Sequence, residues 1–181
     1  MIICAVRHLP TEWNLAGILQ GRRNPTIRPP DKAMMAMSLE TRTSLEERGP
    51  FGTVVASPLT RARETASWYG FPDHEVEPLL TELDFGLYEG RPKAELLRDH
   101  GDSWSHNPGA LTLGEPVRFL GQRVRAFVDT YRARGCQDIL LFGHGAWIRA
   151  MLSIEKTGDI CKMNQFEIAV NSLSVATFEE G

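Results

Sequence analysis

Three short apolar runs, each followed at once by polar residues, constrain this sequence more than any other feature. Residues 1–6, 52–56 and 138–142 have the length and the β-branched content of buried strands. Segments with helical signals separate the three runs. Strands that alternate with helices predict an α/β protein, a three-layer α/β/α sandwich around a mainly parallel central sheet.

Capping residues mark the helices of the first half. Asp31 precedes a helix that we predict to run to residue 48, where Gly49-Pro50 ends it. Ser57 and Pro58 predict another helix, with the serine as its cap and the proline in its first turn. The helix that follows the first strand begins near Thr11.

The second half is less regular. We predict a helix over residues 92–100, an irregular segment over 101–114 and a long amphipathic helix over 115–134. Two strands, 166–170 and 172–178, are predicted around a turn, and this pair would add an antiparallel edge to the sheet.

The chain has 181 residues and a formal net charge of −3. We therefore interpret residues 1–181 as one domain, with 91–114 as a small cap insertion. The charge gives no electrostatic footprint for nucleic acid, and no apolar run is long enough to span a bilayer. No secretory signal is visible, and three widely spaced cysteines fit a reducing compartment, so we expect a cytoplasmic protein. Homodimer formation stays open.

Polar residues follow all three predicted strands. The first strand leads into Arg7 and His8, the third leads into His144, and Arg61 lies one helical turn beyond the second. Ligands of open α/β sheets bind beyond the carboxyl ends of the strands. If the three strands are neighbours, two imidazoles and two guanidiniums meet at one edge of the sheet.

Such a group of side chains suits phosphoryl transfer without a metal. Guanidiniums can bind phosphate oxygens in bidentate fashion, and a neutral imidazole such as that of His8 can attack phosphorus. The leaving alkoxide needs a proton, for which Glu82 is our candidate donor, while Asp84 and Glu89 are nearby alternatives.

Five motifs occur in order along nearly the whole chain. They are Arg7-His8-x-x-Thr11-x-x-Asn14, Gln20-Gly21, Ser57-Pro58-Leu59-x-Arg61-Ala62-x-Glu64-Thr65-Ala66, Leu80-x-Glu82-x-x-x-Gly86-x-x-Glu89-Gly90 and Gly143-His144-Gly145. In this order they closely resemble the histidine phosphatase superfamily, the phosphoglycerate-mutase-like group of enzymes.

The resemblance implies a role for each matching position. His8 would be the phosphorylated residue and Glu82 the acid and base. The residues that would surround the phosphoryl group are Arg7, Arg61 and His144. The groups that would add hydrogen bonds to it are Asn14, Gln20 and the backbone of Gly145. Neither a cofactor nor a metal is implied.

Two positions depart from the family pattern. Leu9 stands where the family usually has glycine, and Pro10 stands where it often has glutamate. We expect a shifted pocket wall and retained chemistry, because every charged catalytic position is present.

Our preferred function is a phosphomonoesterase acting on a small phosphorylated metabolite. Family mutases carry a longer insertion before the second catalytic histidine and a longer tail, whereas residues 82–144 form a short segment here. A phosphoglycerate mutase is the first alternative. The second is a non-catalytic module that binds phosphate esters, suggested by Leu9 and Pro10. The cap residues expected to touch the leaving group are Tyr88, Arg91, Lys93, Trp104 and His106.

Overall fold

The computed structural model describes residues 1–29 and 31–179. Strands and α-helices alternate along most of this length, with short 3₁₀ turns between some of them. The elements are β1 (Ile2–Arg7), α1 (Glu12–Leu15), α2 (Lys32–Arg48), β2 (Thr53–Ala56), α3 (Thr60–Trp68), β3 (Glu75–Val76), α4 (Lys93–His106), α5 (Val117–Ala133), β4 (Asp138–Gly143), α6 (Gly145–Thr157) and β5 (Leu173–Thr177).

The strands form one sheet in the order β3-β2-β4-β1-β5. The first four are parallel to one another, and β5 pairs antiparallel with β1 at the edge. Arg7 pairs with Gly143, and Ala56 pairs with Phe142. This register brings the carboxyl ends of β1, β4 and β2 to one edge, so the predicted neighbourhood of the three strands is confirmed.

The two faces of the sheet bury different sets of side chains. Ile3 and Leu141 contribute to a core cluster that contains Phe127 of α5 and Trp147 of α6. Val6 and Phe142, which point to the other face, pack in a cluster with residues of α2 and α3. Helices thus cover both faces, and the predicted α/β/α sandwich is confirmed.

Helix α3 begins differently from our prediction. Ser57 does not cap it, because the helix starts at Thr60 and the residue at its N-cap is Leu59, which makes no side-chain cap hydrogen bond. The Ser57 hydroxyl lies instead 2.7 Å from Nε2 of His144. A capping signal was therefore present at a residue whose side chain serves a tertiary contact.

Helix α4 is longer than predicted and includes part of the segment expected to be irregular. Gly101 lies within it, although an interior glycine costs about 1 kcal/mol relative to alanine. Leu96 and Trp104 are both buried in the cluster that also holds α5 and α6. This burial outweighs the weak local propensity. Residues 91–114, the predicted cap, thus contain a helix that packs on the main core.

The predicted strand over residues 166–170 is wrong. Among the described residues this segment forms no strand, whereas the following prediction corresponds to β5. Asn171 takes up a left-handed backbone conformation with φ of 59°, which makes the predicted turn. Among the residues the structure describes, no helix has both the length and the apolar composition to cross a membrane.

Candidate active site

A cavity of about 210 Å³ lies at the carboxyl edge of the sheet. Seven of the eight residues that the sequence predicted for the site line it: Arg7, His8, Asn14, Gln20, Arg61, Glu82 and Gly145. The eighth, His144, lies directly behind, with its ring centroid 5.5 Å from that of His8. The structure therefore brings all eight residues together.

His8 is buried at the base of this cavity, and a hydrogen bond fixes its ring. Nδ1 lies 2.7 Å from the carbonyl oxygen of Leu9. Because a carbonyl can only accept, the Nδ1 atom carries the proton and Nε2 keeps its lone pair. Burial, and then the positive charges of Arg61 and Arg7, lower the pKa of His8 well below 6.5. The ring is therefore neutral at physiological pH.

Leu9 occupies its unusual position without backbone strain. Its side chain is fully buried, and its N–H donates to Oγ1 of Thr65 at 2.9 Å. Among the described residues other than glycine, Asn171 alone has a positive φ. Leu9 also does not line the cavity, so a side chain is accommodated here within the core and outside the space for a ligand.

Arg61 and Arg7 point their guanidiniums at the cavity while backbone carbonyls hold part of each one. Arg61 donates to the carbonyls of Arg23 at 2.7 Å and Gly21 at 2.8 Å, and Arg7 donates to that of Ile168 at 2.6 Å. The Nε atoms of both arginines are buried and find no partner in the described chain. Burial lowers both pKa values to about 10, so both stay charged at neutral pH.

His144 follows β4 and is fully buried. Its Nε2 lies 2.7 Å from Oγ of Ser57, which itself accepts from the N–H of Leu59 at 3.4 Å. The serine can therefore donate its own proton to Nε2, which leaves the imidazole proton on Nδ1. That Nδ1 is buried and has no partner within the part of the chain that is described. Burial, followed by the charge of Arg61, lowers the pKa of His144 well below 6.5.

Glu82 is held by the first turn of α6. Its Oε2 accepts from the N–H of Ala146 at 3.0 Å, and its Oε1 accepts from Trp147 at 3.1 Å and from Leu83 at 2.9 Å. The carboxylate is thus positioned at the cavity wall by three backbone donors.

The two competing carboxylates lie outside the cavity. Asp84 accepts from the N–H of Gly86 at 2.8 Å, and Glu89 accepts from the N–H of Arg22 at 2.8 Å. Neither belongs to the cavity wall. Of the three candidates that the sequence offered, Glu82 is the one that lines the cavity.

The three predicted hydrogen-bonding positions differ in what they offer. Asn14 uses its Oδ1 to accept from the backbone N–H and the hydroxyl of Thr11, which caps α1. Gln20 is buried with its Oε1 unpartnered among the described residues. Gly145 lets a guanidinium lie against the backbone, because a Cβ there would stand 3.1 Å from Cζ of Arg7.

Arg149 is a cavity residue that sequence reasoning missed. It lies on α6 four residues after Gly145, so both project from the same face of the helix. This spacing from Gly145 was the available signal. The Nε of Arg149 is buried without a partner in the described chain, and burial lowers its pKa.

The five cap residues that the sequence singled out differ in their position relative to the cavity. Lys93 and Trp104 of α4 line the cavity. Tyr88, Arg91 and His106 do not. The Tyr88 hydroxyl donates to Asp99 of α4, and Nδ1 of His106 lies 3.1 Å from the carbonyl oxygen of Asp102. Among the described residues, no three His, Cys, Asp or Glu side chains gather as a group that could hold a metal ion.

The chain is similar to a family model and to several known proteins. The family model of the histidine phosphatase superfamily (branch 1) matches residues 3–181. The chain is 28% identical to the adenosylcobalamin/alpha-ribazole phosphatase of Salmonella typhimurium, over 100% of this chain and 92% of that protein. It is 26% identical to an acid phosphatase of Mycobacterium tuberculosis, over 97% of this chain and 86% of that protein. A solved structure of a Mycobacterium tuberculosis open reading frame has the same fold, with a TM-score of 0.83 at 24% identity over 99% of this chain and 92% of that chain.

Proposed function

This chain belongs to the histidine phosphatase superfamily, and from that membership we propose that it hydrolyses small phosphate monoesters through a phosphohistidine on His8. The relatives described above are named phosphatases, which supports hydrolysis of a phosphate ester as the general reaction. One observation supports the nucleophile most directly. His8 has its Nδ1 proton committed to the Leu9 carbonyl, its Nε2 lone pair is free, and two cations lie beside it.

In the first proposed step, Nε2 of His8 attacks phosphorus. The P–N bond forms as the bond from phosphorus to the ester oxygen breaks, and the electron pair leaves with that oxygen. Glu82, in its protonated form, gives a proton to the departing oxygen. Arg7 and Arg61 neutralise charge on the equatorial oxygens, and a preorganised donor of this kind contributes about 10²–10³-fold in rate.

In the second step, water attacks the phosphohistidine. The Glu82 carboxylate takes a proton from that water, the P–N bond breaks, and inorganic phosphate leaves with His8 neutral again. Nδ1 of His144 donates to a phosphoryl oxygen in both steps, and the amide of Gln20 supplies a further hydrogen bond. All the charge compensation in this scheme comes from side chains, so we propose that the reaction needs no metal.

Rapid-quench kinetics with p-nitrophenyl phosphate test this proposal. We expect a burst of nitrophenol and an acid-labile phosphoprotein, both absent in His8→Ala, which should lose at least about 10³-fold in kcat. The matched control is His74→Ala, because His74 also contacts a carbonyl through Nδ1, that of Phe71 at 2.8 Å, but lies outside the cavity. Full turnover by a folded His8→Ala protein would contradict the proposal.

Two further measurements separate this reaction from its alternatives. Incubation with EDTA should leave kcat within twofold, and a loss that a divalent cation restores would contradict metal independence. With 3-phosphoglycerate, phosphate release should outpace isomerisation to 2-phosphoglycerate, whereas faster isomerisation would indicate a mutase. Tight phosphate-ester binding without any turnover would favour the non-catalytic module.

The location that we propose is the cytosol. Its support is chemical, since Cys4, Cys136 and Cys161 are all free thiols in the structure. Fractionation of the source cells with an antibody against the protein tests it.

A further inference from the structure

Asn171 is a buried polar residue that none of the proposed catalytic steps uses. It lies just before β5, its residue is 2% exposed, and it is not among the residues that line the active-site cavity. Asparagine adopts the positive φ found here more readily than most residues other than glycine, so the backbone alone accounts for its place in the turn. The burial of its amide, however, requires hydrogen-bond partners.

Those partners come from the two helices on one face of the sheet. Oδ1 of Asn171 accepts from the hydroxyl of Tyr69 at 2.5 Å, and Nδ2 donates to Oγ of Ser38 at the longer distance of 3.4 Å. The backbone carbonyl accepts from the hydroxyl of Thr41 at 2.7 Å. Ser38 and Thr41 belong to α2, and Tyr69 directly follows α3. The side chain and the carbonyl therefore attach the turn to both helices.

The remaining polar group of Asn171, its backbone N–H, is directed at the end of β1. It donates to the carbonyl oxygen of Arg7 at 3.1 Å and to that of His8 at 3.2 Å. Arg7 is the last residue of β1, and His8 is the next one along the chain. One asparagine thus connects α2 and α3 with two of the residues proposed to act on the phosphoryl group.

Arg7 is the residue that depends most on this turn. Its N–H donates to the carbonyl of Ser172 at 3.0 Å, its carbonyl accepts from Asn171, and its guanidinium donates to the carbonyl of Ile168 at 2.6 Å. On the other side, the start of α6 approaches so closely that a Cβ on Gly145 would stand 3.1 Å from Cζ of Arg7. The guanidinium is therefore held between residues 168–172 and α6.

His8 has other supports. Its N–H donates to the carbonyl of Gly143 in β4 at 3.0 Å, and its ring is oriented by the carbonyl of Leu9. Neither of these contacts passes through Asn171. A change at Asn171 should therefore displace Arg7 before it displaces His8.

Taking the proposed function as its basis, we propose that Asn171 is a positioning residue, which holds the guanidinium of Arg7 in place for the phosphoryl group. Its amide fixes the turn against Tyr69 and Ser38, and the turn in turn fixes both the backbone and the guanidinium of Arg7. A catalytic group must be held within about 0.5 Å of its productive position, and a buried turn with all its polar groups hydrogen-bonded supplies that rigidity.

Two variants remove the support without touching Arg7. Asn171→Gly keeps the backbone N–H and tolerates the positive φ but loses the amide, and kcat/KM for p-nitrophenyl phosphate should fall about tenfold. Tyr69→Phe removes the hydroxyl that Oδ1 accepts from, and we expect a fall of at least about threefold. Each variant is assayed at a temperature at which circular dichroism shows it folded.

The matched control is Tyr131→Phe. It also removes the hydroxyl of a buried tyrosine, which donates to Glu77 at 3.0 Å and lies outside the cavity. Its kcat/KM should stay within twofold of that of the unaltered protein. An equal fall in Tyr69→Phe and Tyr131→Phe would mean that the loss of any buried hydroxyl has this effect, and it would overturn the proposal.

A double-mutant cycle separates positioning from a purely structural role. Asn171→Gly is introduced both into the unaltered protein and into Arg7→Ala. If Asn171 acts through Arg7, the tenfold fall in kcat/KM should shrink to less than about threefold once the guanidinium is gone, since residues that act through one another are not additive. A fall of similar size in both backgrounds would overturn the proposal.

The outcomes distinguish this inference from the proposed function. A fall below threefold in a folded Asn171→Gly protein overturns the positioning role and leaves the phosphatase standing. If Asn171→Gly does not fold, Tyr69→Phe takes its place in each comparison. If the unaltered protein hydrolyses no ester, the same cycle is measured on the calorimetric Kd of inorganic phosphate. Equal losses of affinity in both backgrounds, or no measurable binding, then overturn the proposal.

Discussion

Nδ1 of His8 lies 2.7 Å from the carbonyl oxygen of the next residue, Leu9. This hydrogen bond links two adjacent residues at the end of a strand, so its geometry depends on the local turn. The N–H of Leu9 is held in turn by Thr65 of α3 at 2.9 Å. A turn fixed from both ends orients the imidazole and selects its tautomer before any substrate binds.

The tautomer of His8 can be observed directly. In ¹⁵N-resolved NMR spectra we expect a neutral ring with its proton on Nδ1 from pH 8 down to about pH 6, because burial and two nearby arginines lower its pKa well below 6.5. His8→Ala identifies the signal. A titration midpoint at or above 6.5, or a proton on Nε2, would contradict the arrangement that we describe.

The free energy of unfolding should decrease as the pH is lowered, because of the two site histidines. The pKa values of His8 and His144 are lowered in the folded protein, so the unfolded chain binds protons from pH 6.5 downwards while the folded chain does not. This loss is absent above pH 6.5 and continues down to the lowered pKa. Each histidine contributes a slope of about 1.4 kcal/mol per pH unit there.

Urea unfolding at pH 5 to 7.5 measures this slope. The free energy of unfolding should depend less steeply on pH in His8→Ala than in the unaltered protein. The difference in slope should be about 1.4 kcal/mol per pH unit, the contribution of one proton. An identical slope in both proteins would indicate that His8 is charged in the folded state.

Glu82→Gln, compared with variants of Asp84 and Glu89, tests which of the three carboxylates is the acid. We expect kcat/KM for glycerol 1-phosphate to fall about 10²–10⁴-fold, because its alkoxide needs a proton to leave. The fall for p-nitrophenyl phosphate should be much smaller, since nitrophenolate leaves without one. Asp84→Asn and Glu89→Gln remove carboxylates outside the cavity. In these variants any fall in kcat/KM should be equal for the two substrates. Equal losses for both leaving groups in Glu82→Gln would count against its role.

Gly145→Ala tests the close approach of Arg7 to the start of α6. The added Cβ would stand 3.1 Å from Cζ of Arg7, so the guanidinium must move and kcat/KM should fall at least tenfold. Gly101→Ala is the control, because nothing lies within 4 Å of that position in α4. It should keep full activity and stabilise the fold by about 0.8–1 kcal/mol. Wild-type activity in Gly145→Ala would show that Arg7 does not need its present position.

Glu115 connects the loop that carries Glu82 to its surroundings. It pairs with Arg123 at 2.6 Å and with Arg22 at 3.1 Å, accepts from the N–H of Asp84 at 3.1 Å, and is largely buried. Glu115→Gln should therefore lower the free energy of unfolding by about 1–3 kcal/mol.

Thermal and urea unfolding measure this loss, with an exposed ion pair as the reference. Asp99→Asn removes the partner of Arg98 on the surface of α4 and should produce no measurable change. A similar effect in both variants would show that the Glu115 contacts stabilise the fold no more than an exposed ion pair does.

The sequence predicted the sheet and the site because both depend on short-range signals. An apolar run followed by Arg7-His8 or by His144 marks a strand end, and parallel strands place such ends together. Arg149 carries no comparable mark, since an arginine on an amphipathic helix is most often at the surface. Only its spacing from Gly145, once α6 is placed, indicates that it reaches the cavity.

The errors arise where tertiary contacts override local propensity. Ser57 has every feature of a helix cap, but its hydroxyl lies against His144. Gly101 indicates a break, yet Leu96 and Trp104 on either side of it anchor one continuous helix in the core. Residues 166–170 have the alternation of a strand, but no neighbouring strand of the described chain pairs with them. Pairing and packing partners are not readable from a single segment.

The origin of the cavity wall has an evolutionary consequence. Arg7, His8 and His144 sit at strand ends whose spacing is fixed by hydrogen bonds across the sheet, whereas Lys93 and Trp104 come from α4, which lies outside the strand order. Substitutions in α4 can therefore change which alcohol is accepted while the distances among the reacting groups stay constant. Natural selection, or selection from a laboratory library restricted to this helix, can therefore change substrate preference while the residues at the strand ends stay the same.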